Sequence, residues 1–367
     1  MKQRLRILIT SDEPWSPVWH TQLHYAHQLS ENHDVVYMEP PEKWNVWRIL
    51  TLFKLGVKQI SPSLRVIRYF NLLPSNIGSA ATVVNDKVNM WRSKWVFGGK
   101  KPDIVWHFDP FRSFHLYREG DVTHLYHVID PFYDKRLDRK LAQYSDLVVV
   151  TSPRFVEYYK DLNSNTMLIQ QGVDPLLVDG FNDLENEDVR QMVLLGSLTD
   201  KVNYGWIREA VSRTSMRLLI IGPDLIRDDN VRLEFKALCQ LSEVEWTGAL
   251  SPDEYLPLLR PGSLGLIAYR TDIKDEQVMR SPLKVISYIS RKMPVLTNID
   301  CEIPELEGPA INRVDSLDEF ISGTMAYKSQ GPSFDNKIVH SYLLSRRYDL
   351  LIMSILDRLK TENERNE

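Results

Sequence analysis

A lysine close to a helix start is the residue whose position most strongly suggests chemistry. Residues 279–298, MRSPLKVISYISRKMPVLTN, predict a loop, a helix and a buried strand. Ser281 suits the N-cap, Pro282 suits the first helical position, and Leu283 opens an apolar side. Lys284 then falls where the helix dipole repels a cation by about 0.3–1 kcal/mol. A bound diphosphate would reverse this repulsion, so the segment predicts a phosphate site; a solvated lysine at an ordinary helix start is the alternative.

Three turns that follow predicted strands in the second half of the chain contain small residues. They hold Gly196 with Ser197 and Lys201, then Gly222, then Trp246 with Gly248. Backbone N–H groups in such turns can hold a phosphate oxygen, and glycine permits a close approach of the ligand. Each turn alone could be ordinary turn chemistry. Their shared position at one edge of a predicted sheet favours a ligand site.

Histidine and aspartate gather at two predicted strand ends in the first half. DIVWHFDPFRSFH contains His107 and Asp109, and HLYHVIDPFYDK contains His127 and Asp130. Such pairs could bind a metal, but the spacing identifies no third or fourth ligand, so no metal site is predicted and buried core histidines are the alternative. Asp130 ends a strand just before a proline, and it is the candidate general base.

Segment 42–60, EKWNVWRILTLFKLGVKQI, combines apolar and basic residues. Its polar positions are Asn45, Arg48, Thr51, Lys54 and Lys58. On a helix these would edge a broad apolar face with positive charge, which suits a membrane interface or a lipid-linked ligand. A core helix with a narrow exposed stripe fits equally well.

Short apolar runs and helical segments alternate along the chain. The runs are LRILIT, DVVYMEP, LRVIRYF, DIVWHF, HLYHVI, LVVVTS, VLLGSL, RLLIIGP, VEWTG, LGLIAY and PVLTN. Because most are apolar throughout, they predict strands covered on both faces, and the alternation predicts parallel sheets. The acidic, proline-containing stretch 172–191 interrupts the series. We therefore expect an N-terminal domain over 1–171, a linker over 172–191, a second domain over 192–339 and a C-terminal helix over 340–367 that packs across the domain junction.

The composition and net charge of the 367 residues exclude several classes of protein. A net charge of -4 argues against a general nucleic-acid binder, and two cysteines cannot form a disulfide framework. No glycine fingerprint for a dinucleotide follows any predicted strand. No apolar run reaches the roughly 18 residues of a membrane span, and the N-terminal run is too short for a signal peptide, so we expect a cytoplasmic protein, with membrane association on the cytoplasmic face as an option.

Several longer motifs follow one another along most of the chain. The first half carries SDEPWSPVWHTQLHYAHQLSENHDVVYMEPP, followed by YSDLVVVTSPRFVEYY and QQGVDP. The second half carries VLLGSL, LIIGP, VEWTGALSPDEYLPLL and SPLKVISYISRKMPVLTN. This ordered set resembles bacterial glycosyltransferases of the GT-B fold. Within that fold the sequence looks most like the inverting glucuronosyltransferase of xanthan assembly and related polysaccharide-assembly transferases.

This resemblance implies an α/β protein with two Rossmann-like, doubly wound parallel-sheet domains facing a central cleft. By the resemblance, Tyr269 and Lys284 handle the nucleotide diphosphate, and Asp130 is the catalytic base. Retaining members usually have two glutamates eight positions apart, whereas here Glu276 is followed by Lys284. An inverting mechanism is therefore favoured. The acceptor is expected near Trp15, Trp19 and His20, in the tryptophan-rich loop.

The expected function is transfer of a sugar from a nucleotide-sugar donor, most simply a UDP-sugar, to a saccharide or lipid-linked saccharide acceptor in bacterial surface polysaccharide assembly. No cofactor and no metal are expected, because positive groups would stabilise the departing diphosphate. Segment 42–60 is expected to contact a membrane peripherally. The alternatives are a nucleotide-sugar epimerase on the same fold and a sugar-binding protein without catalysis.

Overall fold

The computed structural model describes residues 4–17, 19–43, 56–74, 78–118, 121–130, 136–185, 191–270, 283–331 and 333–366. The strands are β1 (Arg6–Thr10), β2 (Asp34–Met38), β3 (Gly56–Ser61), β4 (Leu64–Arg68), β5 (Ile104–His107), β6 (Thr123–Val128), β7 (Leu147–Val150), β8 (Thr166–Leu168), β9 (Gln191–Leu195), β10 (Arg217–Ile221), β11 (Val244–Trp246), β12 (Leu264–Ile267), β13 (Val295–Thr297) and β14 (Ile311–Arg313). The helices are α1 (Thr21–Ser30), α2 (Ser79–Val96), α3 (Arg136–Tyr144), α4 (Pro153–Leu162), α5 (Pro175–Asp179), α6 (Tyr204–Thr214), α7 (Asp229–Cys239), α8 (Pro252–Tyr255), α9 (Leu283–Ile289), α10 (Leu317–Gln330), α11 (Asn336–Ser345) and α12 (Tyr348–Asn366).

The chain divides into two compact units. The first comprises Met1–Gln170 together with Tyr348–Glu367, and the second comprises Gln171–Arg347. Each unit has its own sheet and its own buried core. The last helix, α12, therefore belongs to the first unit.

The sheet of the first unit has the order β3-β4-β2-β1-β5-β6-β7-β8. All neighbours are parallel except β3 and β4, which form an antiparallel hairpin at one edge. Ile7, Leu8 and Ile9 of β1 are fully buried, as expected for a strand that is covered on both faces. The chain leaves β1 toward one side and returns at β5 on the other, so β1 and β5 flank the topological switch point.

The sheet of the second unit is entirely parallel, in the order β11-β10-β9-β12-β13-β14. Its switch point lies between β9 and β12. In sheets of this type, ligands bind beyond the carboxyl ends of the strands at the switch point. The two sheets confirm the prediction of two Rossmann-like, doubly wound units.

Helix α9 is fixed to this second sheet by one tyrosine. The Tyr288 hydroxyl accepts the Leu195 N–H at 2.7 Å and donates to the Val193 carbonyl at 3.1 Å. The ring lies over Gly265 of β12, where an added Cβ would be 2.5 Å from the ring carbon Cδ2. Only glycine leaves room for this contact, which sets the distance between α9 and the switch point.

Two sequence expectations are wrong in part. Residues 56–60 are not helical, because Gly56–Ser61 pair with β4 as an edge strand, and Lys58 lies in that strand. Residues 44–55 of segment 42–60 are outside the described residues.

The single helix expected over 340–367 is two helices, α11 and α12. The Arg346 carbonyl accepts the Val173 N–H at 2.9 Å, and Arg347 forms an isolated parallel β-bridge with Val173. The backbone between the two helices is therefore not helical. Packing of this region across the domain junction stays a prediction.

Candidate active site

The side chain of Lys284 lies over the turn that follows β9. A Cβ added at Gly196 would be 3.3 Å from Cε and 3.4 Å from Nζ of Lys284. The same ammonium group is 5.2 Å from the centre of the Tyr269 ring, within the range of a cation–π contact. Three residues that the sequence places far apart, Gly196, Tyr269 and Lys284, thus meet at the switch point of the second sheet.

The Lys284 ammonium group has no anionic partner among the described residues. No carboxylate in the described part of the chain lies within 4.0 Å of it, and the residue is half-buried. A half-buried ammonium group that faces no carboxylate among the described residues is well suited to an anionic ligand.

The glycine turns at the sheet edge are in direct backbone contact. Gly196 N–H donates to the Ile221 carbonyl at 2.9 Å, and Gly222 N–H donates to the Gly248 carbonyl at 2.8 Å. A Cβ at Gly222 would stand 2.0 Å from the Gly196 carbonyl oxygen, and Gly222 has a φ of 150°. The Trp246 indole N–H donates to the Gly222 carbonyl at 3.0 Å, while 43% of the residue remains exposed. The three predicted turns therefore form one surface.

Asn298, which sequence reasoning missed, holds Tyr269 in place. Its Oδ1 accepts the Tyr269 N–H at 2.8 Å, and its Nδ2 donates to the Tyr269 carbonyl at 2.7 Å. Val202 forms an antiparallel bridge with Tyr269 from the other side. The available signal was the position of Asn298, the last residue of the predicted run PVLTN and hence at the same sheet edge.

The remaining residues predicted to bind the donor differ in their exposure to solvent. Ser197 is half-buried in the turn after β9, and Lys201 is exposed, with its carbonyl accepting the Arg270 N–H at 2.8 Å. Leu283 is the half-buried first residue of α9. Ser281 and Pro282 lie outside the described residues.

In the first unit, Asp130 follows β6 by two residues and is half-buried. The Thr151 hydroxyl donates to the carbonyls of Val128 and Ile129, at 3.3 and 3.1 Å. This hydroxyl fixes the end of β6 and hence the start of the loop that carries Asp130.

The histidines of β5 and β6 are buried core groups. His107 Nδ1 is 3.2 Å from the Thr10 hydroxyl, and its Nε2 is 3.2 Å from His124 Nδ1. Burial lowers the pKa of His107, and the neighbouring His124 lowers it further. Burial likewise lowers the pKa of His127 to about 3. The described residues contain no group of three or more His, Cys, Asp or Glu side chains arranged to hold a metal ion.

A carboxylate that the sequence did not single out lies at the switch point of the first sheet. Asp12 follows β1 by two residues, and its Oδ1 accepts the Gln22 side-chain N–H at 3.1 Å. Burial, together with the negative charges of Asp109 and Glu13, raises the pKa of Asp12 to about 7. Asp109 itself is paired with Arg112 at 2.6 Å. Burial likewise raises the pKa of Asp86, in α2, to about 7. Of these two acids Asp12 lies at the switch point, and its place after the first strand was the signal available in the sequence.

The tryptophan-rich loop is packed against α1. The Trp19 ring stacks on His27 at 4.2 Å between centres, and Trp15 lies 5.1 Å from the same His27 ring. His20 Nε2 is 3.9 Å from a Glu13 oxygen. All three predicted acceptor residues are half-buried, so each still presents part of its surface to solvent.

Comparison with solved structures identifies the architecture. A glycosyltransferase from Rickettsia africae superposes with a TM-score of 0.66 at 12% identity, over 98% of both chains. The Anabaena protein HepE, in complex with UDP and glucose, gives 0.63 at 12% identity, over 98% of this chain and 100% of that one. The lipopolysaccharide outer core galactosyltransferase WaaB gives 0.59 at 12% identity, over 98% and 100%. No family model and no curated protein matches the sequence. At these identities the likeness establishes the fold, and the chain has the GT-B fold of these glycosyltransferases.

Proposed function

We propose that this protein is a glycosyltransferase that moves a sugar from a UDP-sugar to a saccharide or lipid-linked saccharide in bacterial surface polysaccharide assembly. The observation that carries the proposal is the half-buried Lys284 ammonium group beside Gly196, with no anionic partner among the described residues. A diphosphate would supply the missing anion. The presence of UDP in the HepE structure, which shares this fold, supports the same choice of ligand.

In this proposal the donor lies on the glycine surface of the second sheet. Gly196, Gly222 and Gly248 let the diphosphate approach the backbone, and Ser197 and Lys201 add a hydroxyl and a charge. Tyr269 orients the Lys284 ammonium group, and Ser281 and Pro282 shape the turn before α9. Trp246 offers an exposed aromatic face for the nucleoside.

The chemical step needs a base and a stabilised leaving group. Asp130 takes the proton of the acceptor hydroxyl as that oxygen attacks the anomeric carbon from the face opposite the diphosphate. The bond from that carbon to the diphosphate breaks, and UDP departs with its added negative charge. Attack from the opposite face inverts the anomeric configuration. Because Lys284 stabilises the departing charge electrostatically, the proposed reaction needs no metal.

The acceptor is assigned to the first unit, near Trp15, Trp19 and His20. A lipid-linked acceptor would place the protein at a membrane, with segment 42–60 as a peripheral contact. No helix among the described residues is long and apolar enough to cross a membrane.

The deciding experiment combines nucleotide binding with product analysis. Thermal shifts across nucleoside diphosphates and nucleotide sugars should give the largest rise in melting temperature with UDP or a UDP-sugar, because a ligand that binds only the native state stabilises it. UDP release from that donor should then require a saccharide acceptor, and NMR of the product should show an inverted anomeric carbon. Turnover that EDTA abolishes would contradict metal independence.

The two alternatives give different results in the same assay. An epimerase would convert the donor into an isomer with no acceptor present. A sugar-binding protein without catalysis would bind a donor and release no UDP with any acceptor.

A further inference from the structure

Helix α2 has its polar and apolar sides reversed relative to an ordinary surface helix. Its buried side chains are largely polar: Asn85, Asp86, Asn89, Arg92 and Ser93. Its exposed side carries Val84, 37% exposed, Trp91, 55% exposed, and Trp95, 60% exposed. Exposed apolar side chains that lie next to one another, rather than singly, mark interaction sites.

The buried polar side is held by specific hydrogen bonds. Asn85 accepts the Leu73 N–H and donates to the Leu73 carbonyl, both at 2.9 Å. Arg92 donates to the Phe70 carbonyl at 3.1 Å and to Asn89 Oδ1 at 2.8 Å. Turning the helix to hide its tryptophans would break these bonds and leave buried polar groups unpaired, which is strongly unfavourable. The tryptophans are therefore held toward solvent by the fold.

The exposed apolar residues lie on a single line. Val84, Trp91 and Trp95 follow the i, i+7, i+11 spacing of one helix face, and the half-buried Val88 lies between them at i+4. Trp91 and Trp95 are one turn apart, so their indole rings can enter the same apolar layer. Indole, with an apolar body and a polar N–H, is the side chain that concentrates at membrane–water interfaces.

The exposed charges within residues 79–101 have one sign. Lys87 and Lys94 are exposed on α2, and Lys100 and Lys101 are exposed in the turn after it. The only acidic residue between positions 79 and 101 is Asp86, which is buried on the opposite side. A chain with a net charge of -4 thus presents several lysines beside the two tryptophans that are most exposed in its described part.

We propose that α2 and the turn through Lys101 dock on the surface of an anionic phospholipid bilayer. The two indoles enter the headgroup layer, and the lysines contact lipid phosphates and carboxylates. A second copy of this chain is a poorer occupant, because a symmetric contact would set the same lysines against each other. The proposed contact consists of residues 79–101 and does not include segment 42–60, and the inference rests on the proposed function only in placing the protein at a membrane.

The test is flotation of the full chain with vesicles of phosphatidylcholine alone and with about one third phosphatidylglycerol. We expect at least tenfold stronger partitioning to the anionic vesicles, weakened by 0.5 M salt because charge contacts are screened. The variant W91S/W95S should lose at least tenfold of that partitioning. The matched control L176S/L233S removes two exposed leucines of the second unit, 78% and 63% exposed, and should partition as the wild type does.

Further measurements separate the outcomes. Circular dichroism and thermal unfolding check that each variant is folded. Equal partitioning of W91S/W95S and wild type would overturn the proposal, and loss with R48E/K54E alone would assign the contact to segment 42–60 instead. A wild-type dimer that W91S/W95S converts to a monomer, without a change in partitioning, would identify self-association and equally overturn it. UDP binding is measured on the same samples: its absence with intact vesicle binding contradicts only the proposed function.

Discussion

Lys284 is the residue on which nucleotide binding depends most directly. Lys284→Ala should weaken UDP binding at least tenfold, because it removes the ammonium group that lies beside Gly196. Isothermal titration calorimetry with UDP measures the change. The control Lys236→Ala removes an exposed lysine of α7 and should leave the affinity unaltered. Equal affinities for wild type and Lys284→Ala would show that the diphosphate, if bound, lies elsewhere.

Asp130 and Asp12 can be distinguished as bases by turnover. If Asp130 is the base, Asp130→Asn should lower kcat by roughly 10²–10⁴, the usual contribution of a general base, with UDP affinity unchanged. Asp12→Asn should then have a smaller effect. The reverse result, full turnover in Asp130→Asn and loss in Asp12→Asn, would move the role to the switch point of the first sheet.

The pKa of Asp12 also predicts a dependence of stability on pH. Its folded-state pKa of about 7 lies above the unfolded value, so the folded protein holds this proton more tightly. The free energy of unfolding should therefore fall as pH rises from about 4 to 7, with the loss complete above pH 7. Asp12→Asn cannot ionise and should be more stable than wild type at pH 8, by roughly 1–3 kcal/mol, with little difference at pH 4. Urea unfolding at both pH values measures this, and an equal effect at both would refute the shift.

At the scale of elements, the contact between α9 and β12 positions the lysine. Gly265→Ala would place a methyl group 2.5 Å from the Tyr288 ring, so α9 must move. We expect a loss of about 1–3 kcal/mol in unfolding free energy and weaker UDP binding, because Lys284 shifts with its helix. Gly205→Ala in α6 is the control: its Cβ would meet Asn203 Oδ1 at 3.5 Å, an ordinary contact, and it should be neutral or slightly stabilising. Unchanged UDP affinity in a destabilised Gly265→Ala protein would separate packing from binding.

At the scale of the whole molecule, the end of the chain completes the first unit. Helix α12 adds to its core the buried side chains of Tyr348, Leu351, Ile352, Ile355, Leu356 and Leu359. Removal of residues 348–367 should unfold or strongly destabilise the first unit, because a domain is stable by only about 5–15 kcal/mol. Removal of 361–367 alone should have little effect, since Thr361 is already exposed.

Hydrogen exchange and UDP titration test this division of the chain. The protein that lacks residues 348–367 should lose protection from hydrogen exchange throughout β1 to β8 and keep it in β9 to β14. Its affinity for UDP should stay within about twofold of the wild-type value. Equal loss of protection in both units would mean that they do not fold separately.

The architecture could be predicted from the sequence. Runs such as LRILIT and RLLIIGP are short and largely apolar, which is typical of strands covered on both faces, and β1 and β10 lie where expected. The helix predicted after the loop of residues 279–282 is α9, Leu283–Ile289. The short strands β3, β8 and β14 escaped notice because edge strands are only partly buried and lack a continuous apolar pattern.

Which distant residues come into contact follows from the tertiary structure and could not be read from the sequence. Lys284 lies beside Gly196 because Tyr288 docks α9 over the glycine of β12, and Asp12 lies near Asp109 because β1 and β5 are neighbours in the sheet. The tryptophans of α2 face outward because the partners of Asn85 and Arg92 lie in other parts of the chain. The spacing of apolar residues indicates which side chains will be buried. It does not indicate which polar groups will form hydrogen bonds in the folded chain, and those hydrogen bonds determine where these side chains lie.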